Sequence, residues 1–306
     1  MDNQRKGDNI LSACILCPRN CRVNRLAGER GYCGMSGEVM GARAALHMWE
    51  EPCISGAKGS GAVFFSGCTL GCVFCQNRPI ARGEVGKSIS RQRLCEIFLE
   101  LQAKGAANIN LVTAGHFAPQ TAAALKAARD RGLKIPVVYN SSGYESLKAL
   151  EILGDVVDVW LPDFKYMDPG LAKKYSRAED YPEAAMAAVD WMVRQAGPCV
   201  FDSEGYVVRG VIVRHLILPG HTKDSRAILR YLHERYGEKI WISIMNQYTP
   251  LSHVVEKYPE LNRRVTKREY GKVLDEAVEL GIVNGFFQEG ETAGESFIPL
   301  FDYEGI

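Results

Sequence analysis

No apolar run in these 306 residues approaches the ~18 needed to span a membrane. Neither sign of charge dominates, since 37 Lys and Arg stand against 36 Asp and Glu. That balance gives no reason to invoke nucleic acid or an anionic membrane as partner. The polar start MDNQRKGDN lacks the apolar core of a signal peptide. There is no HExxH pair and no nucleophile–histidine–acid triad signature, so neither the common zinc hydrolases nor the common acyl-transfer enzymes are indicated. No internal repeat appears beyond a strand–helix alternation, and no low-complexity tract interrupts it. What is left is a globular chain long enough for one large domain and an appendage.

Cysteine, by contrast, is plentiful. Seven of the ten sit at ligand-like spacings in a chain without an export signal. Metal therefore explains them better than disulfides, and the expected location is the reducing cytoplasm. The central stretch is Cys68-Thr69-Leu70-Gly71-Cys72-Val73-Phe74-Cys75, a C-x3-C-x2-C pattern with an aromatic before its third cysteine. Three such thiolates can hold three irons of a 4Fe–4S cubane, whose usual complement is four cysteines. A motif that stops at three leaves one iron open to a ligand that is not protein. A zinc knuckle is the competing reading, although structural zinc prefers four protein ligands.

The context is a strand, a ligand loop and then a helix. Gly61 to Gly67 reads as a short buried strand, and a helical pattern opens near Ser90 with Leu94, Ile97, Phe98 and Leu101 on one face. The alternation continues. Strands are predicted over 108–113, 136–139, 156–161, 207–218 and 239–245, with a short last one over 285–288. Helices are predicted over 119–131, to about 153, 169–196, 225–236 and 265–280. The fold class is therefore α/β, a parallel sheet curled into a partial (β/α)6 TIM-like barrel, whose chemistry belongs at the carboxyl ends of its strands. A small cysteine-rich extension over residues 1–58 precedes the barrel domain of 59–306. It carries Cys14-x2-Cys17-x3-Cys21 and then Cys33, among Pro18, Gly28, Gly31 and Gly34, which imply turns rather than regular elements. These four cysteines are read as a second metal site, either zinc or iron–sulfur, or as four plain buried thiols. Cys53 and Cys95 read as packing.

The Cys68–Cys75 loop resembles that of the radical S-adenosylmethionine superfamily. In that family the open iron is bound by the amino and carboxylate groups of S-adenosylmethionine. An electron from the cluster breaks a carbon–sulfur bond, and the 5′-deoxyadenosyl radical takes a hydrogen atom from substrate. Within the superfamily the strand ends resemble the pyruvate formate-lyase activating enzymes, over roughly residues 55 to 290. The resemblance gives Cys68, Cys72 and Cys75 the cluster and places Phe74 beside the cofactor. Thr113-Ala114-Gly115-His116 matches the Gly-Gly-Glu stretch that holds the methionine amino group. That match puts Gly115 at the cofactor but replaces the glutamate, and His116 becomes a candidate site residue in its stead. Asn140-Ser141-Ser142-Gly143 resembles Asp-Thr-Asn-Gly, which places Asn140 near the cofactor. Asp163-x-Lys165 matches Asp-Leu-Lys, two charges sharing one strand face and suited to ribose hydroxyls or the sulfonium end. Val213 to Gly220 resembles Ile-Arg-Tyr-Val-Val-Val-Pro-Gly, so that Arg214 approaches the cofactor's carboxylate. Gln247-Tyr248 is placed to cover the adenine. The start Cys14-Ile15-Leu16-Cys17-Pro18-Arg19-Asn20-Cys21 is similar to that of a branch of activating-enzyme-like proteins.

The resemblance implies an anaerobic oxidoreductase. It takes electrons from flavodoxin or ferredoxin and acts on a glycine of a glycyl radical enzyme. A peptide, an RNA or a small molecule remains an alternative substrate. An iron–sulfur electron-transfer or metal-binding module is the alternative of another class. A zinc hydrolase using His116, His215 and His221 is a third.

Overall fold

The computed structural model describes residues 10–287 and 299–306. The polar start over 1–9 and the end of the last predicted strand at Gln288 lie outside the described residues.

Strand β1 is Val39–His47, β2 Ser60–Phe65, β3 Lys87–Ile89, β4 Ile109–Val112 and β5 Val137–Ser141. They are followed by β6 Val159–Pro162, β7 Val200–Phe201, β8 Val207–Leu216, β9 Trp241–Met245 and β10 Gly285–Phe287. The sheet runs in the order β10-β9-β8-β6-β5-β4-β2-β1-β3, with β7 paired to β8. From β2 to β10 along that path every pairing is parallel. β1 pairs antiparallel with both β2 and β3. Among the described residues the two ends of the path do not pair, so the barrel is partial, as expected.

Every residue of β2, β4, β5 and β6 is buried, which is the signature of a parallel strand covered on both faces. Helices α1 (Arg91–Ala103), α2 (Ala118–Asp130), α3 (Leu147–Leu153), α4 (Pro169–Ser176), α5 (Tyr181–Ala196), α6 (Thr222–Tyr236) and α7 (Lys267–Glu279) supply the cover. Their starts are chemically marked. Ser90 caps α1 by accepting from the Arg93 N–H, and Ser146 caps α3 through Ala149. Thr266 and Glu269 close a reciprocal capping box on α7. The face of α1 named from sequence, Leu94, Ile97, Phe98 and Leu101, is buried as predicted, with Cys95 among them. At the centre Trp160 of β6 meets Tyr139 of β5 and Trp191 of α5 edge-on. Each large side chain so buried contributes roughly 1.5–3 kcal/mol.

The N-terminal region departs from its turns-only reading. β1 is a nine-residue strand inside it, hydrogen-bonded along β2. Its sequence, VMGARAALH, is rich in alanine and glycine, which are poor strand formers, so local preference concealed it. The strand exists because β2 offers it an edge. The chain end then lies across β1, where Ala44 N–H donates to Glu304 O at 2.8 Å and Tyr303 N–H to Ala42 O at 3.2 Å. Among the described residues no helix is long and apolar enough to cross a membrane.

Candidate active site

β2 ends at Phe65 and delivers the chain to the cysteine loop. Gly67 makes the turn at φ +86, and a Cβ there would sit 2.5 Å from Met35 Cγ and 2.8 Å from Cys33 O, so only glycine fits. The loop is held from outside: Val73 N–H donates to Tyr175 O at 2.9 Å, and Arg19 donates to Thr69 O at 3.0 Å and Leu70 O at 3.1 Å. Cys68, Cys72 and Cys75 carry free thiols and line one wall of a cavity of about 260 Å³. Sulfur lone pairs are met by donors. Gly71 N–H points at Cys68 Sγ at 3.5 Å, and the Ser176 hydroxyl donates to Cys72 Sγ at 3.2 Å. Burial pushes the thiol of Cys68 up to about 11 and that of Cys75 up to about 12.

The facing wall is charged. Lys165 Nζ lies 2.6 Å from Asp163 Oδ2, and Arg214 Nε donates to Asp163 Oδ1 at 2.9 Å. Arg214 Nη1 reaches Glu50 Oε2 at 3.0 Å, and Nη2 donates to Asn140 Oδ1. The amides of Asn140 and Asn110 both donate to Glu50 Oε1 at 3.1 Å. Burial alone would raise the Asp163 carboxyl, but Arg214 and Lys165 hold it below its ordinary range. Burial would lower Lys165, yet Asp163 and then Cys72 raise it. The Lys165 ammonium therefore stays charged and faces the thiols.

The cavity brings together Cys68, Cys72, Cys75, Phe74, Asn140, Asp163, Lys165 and Arg214, eight of the nine residues read from sequence as cluster or cofactor ligands. Gln247 and Tyr248 line it too, although Tyr248 is also core, with its hydroxyl donated to Leu261 O at 2.8 Å. Gly115 does not line it. A Cβ on Gly115 would fall 2.3 Å from Glu145 Oε2 and 2.4 Å from Tyr139 Oη, so its smallness serves internal packing. His116 is likewise away from the cavity, buried with Nε2 2.7 Å from Ser66 O. His215 contacts Phe164 O at 2.7 Å and His221 contacts Tyr175 Oη at 2.9 Å, so the three histidines serve separate partners. No three His, Cys, Asp or Glu side chains among the described residues converge closely enough for a single metal ion.

Two features escaped sequence reasoning. Glu50 follows β1 in no recognisable motif, and only the fold sets it against Arg214. Thr113, at the end of β4, holds φ +62 while lining the cavity. Such a conformation is rare for a β-branched residue and costs of order 1–3 kcal/mol, so strain is concentrated where a ligand would lie.

The donor set fits an iron–sulfur cluster with one open corner. Three free thiols share a wall, and no fourth cysteine among the described residues lines the cavity. A cubane grips sulfurs more widely than one ion does.

An open parallel α/β sheet with such a pocket at its strand ends defines a class of barrel enzyme. Residues 62–232, more than half of the chain, match the family model described as the radical SAM superfamily, and the chain belongs to that superfamily. It is 29% identical over 275 residues to a Methanocaldococcus jannaschii protein named uncharacterized protein MJ0674, covering 87% of this chain and 75% of that one. Among solved structures it is similar to Streptococcus suis SuiB bound to S-adenosylmethionine. The TM-score is 0.51 at 12% identity, over 73% of this chain and 48% of SuiB. SuiB bound to precursor peptide SuiA matches with a TM-score of 0.50 at 12% identity, over 72% and 46%. At these identities the likeness is one of fold. The chain spans about half the length of the SuiB chains it matches.

Proposed function

We propose that this radical SAM protein binds a 4Fe–4S cluster through Cys68, Cys72 and Cys75, and S-adenosylmethionine in the adjoining cavity. We further propose that it removes a hydrogen atom from a glycine of a polypeptide, as an activating enzyme for a glycyl radical enzyme. The observation that carries the reading is one cavity walled by three free thiols on one side and by Asp163, Lys165 and Arg214 on the other. Cys68, Cys72 and Cys75 would hold the cluster, which would supply the electron for reductive cleavage of S-adenosylmethionine.

The chain's own residues bind and orient. Asp163 is held ionised by Arg214 and Lys165, so its carboxylate accepts hydrogen bonds at neutral pH. Lys165 and Arg214 are balanced on this wall by Asp163 and Glu50, so the wall offers paired charges rather than a net positive field. Arg214 is fully engaged with Asp163, Glu50 and Asn140, and so acts as a positioning residue for that wall. Phe74, edge-on to Tyr248 at 6.2 Å, gives an apolar flank for a purine. No protein acid or base is needed for hydrogen-atom removal, in keeping with buried histidines that serve structure.

A polypeptide substrate is favoured by the strand-end likeness to activating enzymes and by the shared fold of SuiB, whose structure is described as bound to a precursor peptide. The electron would come from a flavodoxin or ferredoxin. The test is anaerobic reconstitution with iron, sulfide and a reductant, followed by chromatography for 5′-deoxyadenosine. Wild type forms it, and Cys72→Ala falls to the background of the protein-free control. Polypeptides from cells grown on deuterated glycine should then place deuterium in the product. Product formation by Cys72→Ala at the wild-type rate would overturn the cluster assignment, and unlabelled product would overturn the glycine.

A further inference from the structure

Cys14, Cys17, Cys21 and Cys33 take no part in the cavity. They sit in a loop region, residues 13–38, whose only regular element is the 3-10 turn Arg25–Ala27. Something other than secondary structure must fix that region. Cys14 N–H donates to Val23 O at 3.0 Å and Arg22 N–H to Cys14 O at 2.9 Å, which folds the segment back on itself. Asn20 at φ +45 and Arg22 at φ +55 accept left-handed backbone to make the fold-back, and Gly34 does the same at φ +78.

The fold-back gathers the sulfurs. Cys17 lies in the electrostatic reach of Cys33 and Cys21, and Cys33 in that of Cys14 and Cys21. All four thiols are free. Each sulfur also meets an N–H. Tyr32 N–H donates to Cys21 Sγ at 3.3 Å, and Arg25 Nη1 points at Cys14 Sγ at 3.8 Å. The Arg19 N–H serves Cys17 and the Met35 N–H serves Cys33, each from two residues onward. Asn77 serves Cys75 in the same way in the first motif. Donors aimed at sulfur stabilise thiolates. Four free sulfurs gathered by one fold-back, with donors aimed at them, make a ligand set for a metal centre.

All-thiolate sets select zinc or iron–sulfur. Zinc at 2.3 Å from each sulfur would draw the sulfurs to about 3.8 Å apart. No three cysteines among the described residues converge as a single ion requires. We propose that Cys14, Cys17, Cys21 and Cys33 bind a second 4Fe–4S cluster, with all four corners held by protein. It abuts the first loop. Tyr32 Oη donates to Leu70 O at 3.4 Å, Arg19 clamps Thr69 and Leu70, and Cys33 O blocks any side chain at Gly67. Its loss therefore loosens the loop that carries Cys68.

The test counts iron, sulfide and zinc in full-length protein reconstituted anaerobically, with Mössbauer spectra to assign cluster type. Wild type should hold about eight irons, and Cys68→Ala/Cys72→Ala/Cys75→Ala about four, since cubanes carry four each. Cys17→Ser/Cys33→Ser should also retain about four and become cleavable by protease between residues 13 and 38. Four irons in wild type that vanish in the triple alanine protein would overturn the second cluster. So would one zinc per chain that Cys17→Ser/Cys33→Ser loses. If that double variant does not fold, the triple alanine protein still decides. Iron there but none in a folded double variant would uphold this site while refuting the one proposed at Cys68.

Discussion

Arg214 holds three partners on the buried wall of the cavity, and its side chain is 13% exposed against 15% for Asp163 and 9% for Glu50. Charges so placed are strongly coupled, and removing one leaves its partners desolvated and uncompensated. Arg214→Met should therefore lower unfolding free energy by about 3–5 kcal/mol at neutral pH. Arg214→Lys keeps the charge but loses the planar fork, so its loss should be smaller. Urea unfolding of the two variants checks both, and a wild-type midpoint for Arg214→Met would contradict the lattice. Part of this wall was legible from sequence. Asp163 and Lys165 stand two apart at a strand end, and Arg214 lies on the strand that the Val213–Gly220 pattern marks. Glu50 was not legible, because an acid in a loop carries no periodicity and its partners are 60 to 164 residues away. Gly115 misled for a related reason. A glycine after a strand reads as room for a ligand, whereas the room is taken by Glu145, thirty positions on.

At the scale of elements, β8 shows how one strand sends neighbouring side chains to a cavity and to the core. Arg214 faces the cavity, and its neighbour His215 turns the other way, with Nδ1 on Phe164 O and Nε2 lacking a protein partner. Burial lowers the His215 pKa to about 4. Unfolding frees the ring to take a proton near pH 6.5. Its contribution is thus fully present above about pH 6.5 and is lost as pH falls toward 4, by up to about 1.4 kcal/mol per pH unit. His116, lowered to about 3 by burial and then by Arg25, acts in the same direction. His215→Asn keeps a donor for Phe164 O and removes the titration. It should be less stable than wild type at pH 7 by about 1–2 kcal/mol, and the gap should narrow between pH 6 and 4.5. Parallel curves of stability against pH would sink this assignment. The parallel strands were readable because most of them carry a short, largely apolar run, as in Val211-Ile212-Val213 of β8 and Val159-Trp160-Leu161 of β6. β1, β3 and β7 were not, since their pairing is set by edges that only the assembled sheet provides. The segment 299–306 lies across β1 for the same kind of reason.

At the scale of the molecule, the cavity is a place where the ends of six strands meet. Cys68 follows β2, Thr113 follows β4, Asn140 lies in β5, Asp163 follows β6, Arg214 lies in β8 and Met245 in β9. Among the described residues the sheet path runs from β3 to β10 without closing on itself. A ligand touching all these walls would join elements that the sheet alone connects only through their neighbours. Binding to the folded state alone should raise its stability by about 2.7 kcal/mol at a hundred times the dissociation constant. S-adenosylmethionine added to the cluster-loaded protein should therefore raise the thermal midpoint, in proportion to the logarithm of its concentration. Asp163→Asn keeps the shape of the wall but removes the carboxylate between Lys165 and Arg214, so the same concentration should raise its midpoint less. Differential scanning fluorimetry under anaerobic conditions reads both shifts. An unmoved wild-type midpoint at millimolar ligand would mean that the charged wall does not face the nucleotide. An equal shift in Asp163→Asn would mean that Asp163 braces Arg214 and Lys165 without touching the ligand.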